Sequence, residues 1–330
     1  MSEGEQKKRS ISESKATTKA TTITEEDPRK AHIQAQVKSS IQSLLSRDIP
    51  YEWCDAVLKE CGQMCKSGGL DLSVVLQEPL IDGKPPIYWA ILNGPVTTLQ
   101  KGEAALHALV LSLLDTCQPL KETTIASIRL ACMSTSNNAL LQHLFWHFPP
   151  LSPLSRSDAM LLSAAGGGDV IDVDERQDGI GAFVARLQIR RFRLRMRVSK
   201  LVKVELVTSD RIWTITFSLG PKNTATGPPE GEWLLSFGLS DHSMPAWVDG
   251  DFLVLRRSSS IDSGDDYEPA FSLPLGRNPC KFQPGPGSAV TMRLDDGPMR
   301  PHLLNECVNT HFTLLFLPAD SFVQQVAVTC

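Results

Sequence analysis

The sequence predicts a two-part chain, an array of helix pairs followed by an antiparallel β-sandwich or partly closed barrel. Three observations carry that expectation. A length of 330 residues exceeds the roughly 100 to 200 of one ordinary domain. Up to residue 148 apolar side chains recur at three- and four-residue steps, the period of a helix face. From residue 180 they recur at every second position between clusters of Gly, Pro, Asn and Asp, the period of half-buried strands. A hydrophobic content of 42% with 21% charged residues gives a real core.

Residues 1–27 are rich in Ser, Thr, Lys and Glu and nearly free of large apolar side chains. They cannot bury enough surface to offset the entropy of ordering and read as a disordered tail. Ile33, Val37, Ile41, Leu44 and Leu45 then fall on one helical face. Asp48 ahead of Pro50 is a helix-start signal, because the carboxylate caps free amides where proline has none to waste. Trp53, Val57, Cys61, Met64 and Cys65 predict the buried stripe of a second helix, closed by Gly68-Gly69. Residues 82–94 read DGKPPIYWAILNG. Gly83 permits a tight turn, Pro86 suits a first helical turn, Ala90 lets neighbouring helices approach, and Gly94 can end the helix. Leu106, Leu109, Leu113 and Cys117 mark a longer partner helix. A further pair follows, with Ile125, Ile128 and Ala131 on one helix and Leu141, Leu144, Phe145 and Phe148 on the other. The helical domain is thus expected over 28–148.

Gly83, Pro86, Ala90 and Gly94, with the helix pair around them, resemble the ankyrin-repeat family, whose helix opening reads G-x-T-P-L-H-x-A-x-x-x-G. Ile87 stands for the leucine, while Pro85 replaces the threonine and Tyr88 the histidine, so the family's side-chain hydrogen bonding at this turn is lost. The step from Ala90 to Ala131 exceeds the repeat of about 33 residues, which makes the array divergent. The resemblance implies a scaffold that meets protein partners on its inner helices, with Tyr88 and Trp89 as candidate partner-binding residues.

Pro149-Pro150, Pro153 and Gly166-Gly167-Gly168 interrupt the helical pattern, so a linker is expected over 149–179 and a β domain over 180–330. Strands are expected through Phe183 and Ile189, Phe192 and Val198, Trp213 and Leu219, and Trp233 and Leu239, with others near 251–256, 289–294, 311–317 and 323–328. Residues 221–231 and 258–266 read as surface loops. The spacing of Trp233, Leu239-Ser240 and Trp247 is similar to that of MATH-type sandwiches, and no residue role is taken from that family.

Residues 186–203, RLQIRRFRLRMRVSKLVK, hold eight basic side chains and no acid. On a strand, Arg191, Arg193, Arg195 and Arg197 project from one face, a row suited to phosphate. The plainer alternative is a solvated face balanced by Asp169, Asp172, Asp174, Glu175 and Asp178. The eight cysteines form no CxxC pair and read as small buried residues of a reducing compartment. His143 and His147 share a helix face but lack a third ligand nearby, so no metal or cofactor is expected. Asp241-His242-Ser243 has the residue types of a hydrolase triad, yet adjacent side chains point apart and no catalytic residue is assigned. Catalytic groups drawn from distant positions would not show in sequence proximity. A net charge of -4 gives no global attraction to nucleic acid, and no apolar run reaches bilayer length. The function expected is a non-catalytic protein-protein interaction adaptor in cytoplasm or nucleus. The alternative is a phosphate- or nucleic-acid-binding protein acting through the arginine-rich stretch.

Overall fold

The computed structural model describes residues 28–45, 51–94, 108–175, 183–220, 233–257, 267–274, 280–284, 289–293 and 309–317. The expected tail at 1–27, the strand near 323–328 and the loops at 221–231 and 258–266 lie outside the described residues.

Helix α1 (Pro28–Leu45) buries Ile33, Val37, Ile41 and Leu44, the face its periodicity marks. Helix α2 (Tyr51–Ser67) buries Cys54, Leu58, Cys61 and Cys65 instead of a stripe through Trp53. The stripe is rotated by one residue, and the Trp53 indole stays 67% exposed. A left-handed Gly69, φ +66°, ends this helix, a conformation that costs glycine little. A short helix not foreseen, α3 (Leu72–Val75), is capped by the Asp71 carboxylate. Asp82 and Gly83 both take positive φ in a two-residue turn that pairs Ile81 with Lys84, and Pro86 opens α4 (Pro86–Leu92).

Helices α5 (Ala108–Thr116), α6 (Glu122–Ser134) and α7 (Asn138–His147) complete this part. Helix α4 packs on α5 and α6, and α2 packs on α1 and α5. The buried Gln77 amide pins the turn between α5 and α6, donating to Cys117 O and Pro119 O while its oxygen accepts from Lys121 N.

The stretch expected as a linker, 149–179, holds regular elements over its described residues. Pro149–Leu151 forms a 3-10 turn, Arg156–Ser163 is helix α8 with its N-terminus capped by Ser155, and Val170–Glu175 is strand β1. An edge strand facing water on one side tolerates the alternating aspartates of VIDVDE, which also guard the edge against foreign strands. Gly168 lies against the Trp146 indole, where a Cβ would come within 2.9 Å of the ring.

Strand β2 (Phe183–Arg190) matches its alternation. The next expected strand is instead helix α9 (Phe192–Val198), entered through a left-handed Arg191, φ 50°. Phe192 and Met196 satisfy a period of two and a step of four equally, so apolar spacing over seven residues does not distinguish the two conformations. Burial of Arg195 on the same face as Phe192 and Met196 settles it as a helix.

There follow β3 (Leu201–Thr208), β4 (Arg211–Leu219), β5 (Trp233–Leu239), β6 (Ala246–Arg257), β7 (Tyr267–Pro274), β8 (Cys280–Phe282), β9 (Val290–Arg293) and β10 (Asn309–Leu317). One sheet runs β1-β2-β10-β6-β7, with β8 paired to β6, and the other runs β3-β4-β5-β9. All these pairings are antiparallel, and neither sheet closes on itself among the described residues. The fold is mixed α and β.

Phe183, Leu187 and Ile189 of β2 share one core with Val204, Trp213, Phe217, Leu235 and Phe237 of the second sheet. Trp213 stacks on Phe237 at 4.9 Å. Val207 and Ile212, beside the β3-β4 turn, belong to the helical core instead, so the two parts share apolar packing.

Polar side chains of α7 fasten the same seam. Asn138 donates to Ile171 O of β1 and accepts from Val207 N of β3, taking the place of a missing rung between the two edge strands. Gln142 adds a bond to Glu205 O.

Candidate functional site

Helix α6 turns Glu122, Ile125, Ala126, Arg129, Leu130 and Met133 to one side, the three- and four-residue steps of a single helical face. Opposite lies the second sheet. Its inner face carries the aromatic core, so the alternate positions of β3, β4 and β5 face α6. Register aligns them in two cross-strand rows. Lys203 pairs with Thr216, Thr216 with Ser236 and Ser236 with Thr291, while Glu205 pairs with Thr214 and Thr214 with Gly238. Helix wall and sheet floor enclose an open groove of about 750 Å³, with Pro150 to Pro153 along one side and Asp241 and His242 in its lining. That volume lies within the usual range of ligand sites, about 300 to 1,000 Å³.

A charge cluster anchors the floor. The Glu205 carboxylate, 2% exposed, accepts from Arg129 Nη2 at 2.6 Å and Lys203 Nζ at 2.7 Å. Ser240 Oγ stands 3.5 Å from it and 2.8 Å from Thr214 Oγ1. Two cations on one buried carboxylate satisfy its lone pairs and leave the local balance positive. This carboxylate is therefore a strut for Arg129 and Lys203. The remaining floor is hydroxyl-bearing, with Ser236 and Thr291 hydrogen-bonded at 2.9 Å. Such a surface offers donors and acceptors at strand spacing beneath the half-buried Ile125 and Leu130.

Asp241 and His242 apart, the residues singled out in the sequence lie elsewhere. Tyr88 and Trp89 are half-buried on α4 and pack edge to face at 5.3 Å. Trp89 Nε1 donates to Ile81 O at 3.0 Å, and Lys84 Nζ lies 5.3 Å from the Tyr88 ring centroid. The four arginines do not form a row. Arg191 and Arg197 are exposed, Arg193 is half-buried, and Arg195 is fully buried. Arg195 Nη1 binds both oxygens of Asp169, at 2.9 and 2.7 Å, and its Nε lies 3.5 Å from Asp158. Among the described residues, two of the acids foreseen as balancing the basic stretch pair with it, Asp169 with Arg195 and, across β1 and β2, Asp172 with Arg186 at 3.5 Å. Burial pushes the Asp169 carboxyl above its ordinary range, against the pull of Arg195 and the Arg190 amide.

Ser243 is buried, and its hydroxyl accepts from Ile212 N at 3.1 Å, a structural bond closing the turn after β5. His143 and His147 bring their ring centroids to 4.2 Å. Among the described residues no group of three His, Cys, Asp or Glu side chains is placed to hold a metal ion. Burial pushes the thiols of Cys117 and Cys132 up to about 12 and that of Cys61 to about 11, so these are inert core residues. The groove residues were missed because Thr214, Thr216, Ser236 and Lys203 read as the solvated side of amphipathic strands. Their signal was the repeated hydroxyl opposite each core aromatic.

Compared with protein-family models and with curated proteins, the chain matches no family and no relative.

Proposed function

We propose that this chain is a non-catalytic adaptor that takes a protein partner, presented as an extended segment, in the groove between α6 and the outer face of β3, β4 and β5. The groove's construction carries the reading. Its floor sets hydrogen-bonding side chains at strand spacing, its helical wall supplies aliphatic contacts, and its buried carboxylate is already neutralised. An extended backbone needs alternating polar partners and apolar pockets of this kind.

In this reading the helical part is a divergent ankyrin-like stack. Support comes from the Ile81 to Lys84 turn ahead of α4, and from α4 packing on α6 while α2 packs on α5, which sets alternate helices side by side. The two sheets are read as a β-sandwich, supported by the core their facing residues share. Buried free thiols suit a reducing compartment, cytoplasm or nucleus. Tyr88 and Trp89 become supports of the turn, since the Trp89 indole holds Ile81 O.

Ala126 is exposed on the groove wall, so Ala126→Trp fills the groove while changing stability by no more than about 0.5 kcal/mol. Affinity capture with wild-type chain is expected to retain a partner that Ala126→Trp fails to retain at an unchanged Tm. Equal capture by both chains would rule out the groove.

A further inference from the structure

Helix α9 carries an exposed aliphatic face. Phe192, Arg195 and Met196 point inward and are buried. Leu194 and Val198, one turn apart, are 40% and 53% exposed, and Leu201 at the start of β3 is 44% exposed. Arg191, Arg197 and Lys200, all exposed, flank these aliphatic side chains. No Asp or Glu occurs in the chain between Asp178 and Glu205, so nothing in this segment offsets their charge. The buried acids beneath it, Asp158 and Asp169, are taken up by Arg195.

We propose that this face of α9 docks the chain onto an anionic lipid bilayer. Leu194, Val198 and Leu201 enter the boundary between headgroups and acyl chains, and Arg191, Arg197 and Lys200 sit at the phosphate level. Charge complementarity requires an anionic occupant, and two features select the bilayer. Among the described residues, neither the groove nor the smaller cavity beside Trp146 is lined by a residue of α9, so neither gives a protein partner's anchor side chain a seat on this face. Nucleic acid would use the cations but gain nothing from three exposed aliphatic side chains. A lipid interface uses both, because arginine and lysine stems lie along apolar surface while their heads stay at the headgroups. The contact is peripheral, since no described helix is long and apolar enough to cross a membrane. It is separate from the groove.

Sedimentation of the full chain with phosphatidylcholine vesicles, with or without about one third phosphatidylserine, tests this directly. Binding is expected only to the anionic vesicles at about 0.1 M salt and is lost at about 0.5 M. Leu194→Gln with Val198→Gln lowers the partition coefficient about ten-fold although every charge is kept. Arg191→Ser with Arg197→Ser lowers it at least as much, whereas Lys66→Ser on α2 leaves it unchanged. These side chains are exposed, so the variants keep the wild-type Tm, which thermal denaturation verifies. Absence of binding overturns the proposal. So does binding that ignores the Leu194 and Val198 changes, especially if heparin or RNA competes it away, since that is the behaviour of a plain polyanion site.

Discussion

Arg195 enters the interior with two carboxylates, and its guanidinium makes well-formed hydrogen bonds to Asp169. Among the described residues its Nε and Nη2 have no hydrogen-bond partner, so the cluster is held by charge as much as by geometry. Removing the cation strands Asp158 and Asp169 in a buried site. Arg195→Met is expected to cost about 3 to 5 kcal/mol by chemical denaturation. Combining it with Asp158→Asn and Asp169→Asn should recover most of that loss, and a triple variant weaker than the single one would show that the arginine acts through packing alone. His143 gives a second test. Burial, then the charge of His147, hold it below its ordinary value of 6.5. A histidine with a lowered folded-state pKa binds fewer protons folded than unfolded, so its stability contribution is complete above 6.5 and declines as pH falls below it. Tm should fall between about pH 7.5 and pH 5.5, and His143→Gln should flatten that slope. Trp89 gives a third: Trp89→Ala removes a half-buried indole and the bond to Ile81 O, for an expected loss of about 2 kcal/mol in thermal denaturation.

Elements were legible where apolar period and packing agree. Ile33, Val37, Ile41 and Leu44 mark α1, and Phe183, Ala185, Leu187 and Ile189 mark β2, because each pattern meets a single core. The α9 segment was not legible. Its buried arginine breaks the usual link between charge and exposure, and only the distant Asp158 and Asp169 explain the exception. Strand β3 was missed because Lys203 and Glu205 interrupt its apolar run, although Glu205 answers to Arg129 of α6 across the groove and Lys203 answers to Glu205. Helix α7 was recognised from its leucines, yet Asn138 matters more to its position. That amide ties β1 and β3 to the helix, and Asn138→Ala leaves Ile171 O and Val207 N unpaired. An expected loss of about 2 kcal/mol, with faster amide exchange at Val207, tests this role. Unchanged exchange would mean that other contacts hold the seam.

At the scale of the whole molecule, the helical and β parts meet through shared core residues, the α7 amides and the Arg129 to Glu205 bridge. The sequence suggested two parts but not this seam, because each contact joins residues far apart in the chain with no pattern linking them. A chain of residues 176–330 alone would lose β1 and the partners of Val207 and Ile212. It is expected to show no cooperative thermal transition. The groove exists only where both parts are present, and its binding role is the central proposal. Its most direct test is a photo-crosslinking side chain placed at Ala126 in the full chain, with Gln34 on the exposed side of α1 as the control position. Irradiation in native lysate is expected to give a discrete crosslinked partner from position 126, absent from position 34 and abolished by Thr216→Trp in the groove floor. A crosslink equally strong from both positions, or one that survives Thr216→Trp, would contradict partner binding in the groove.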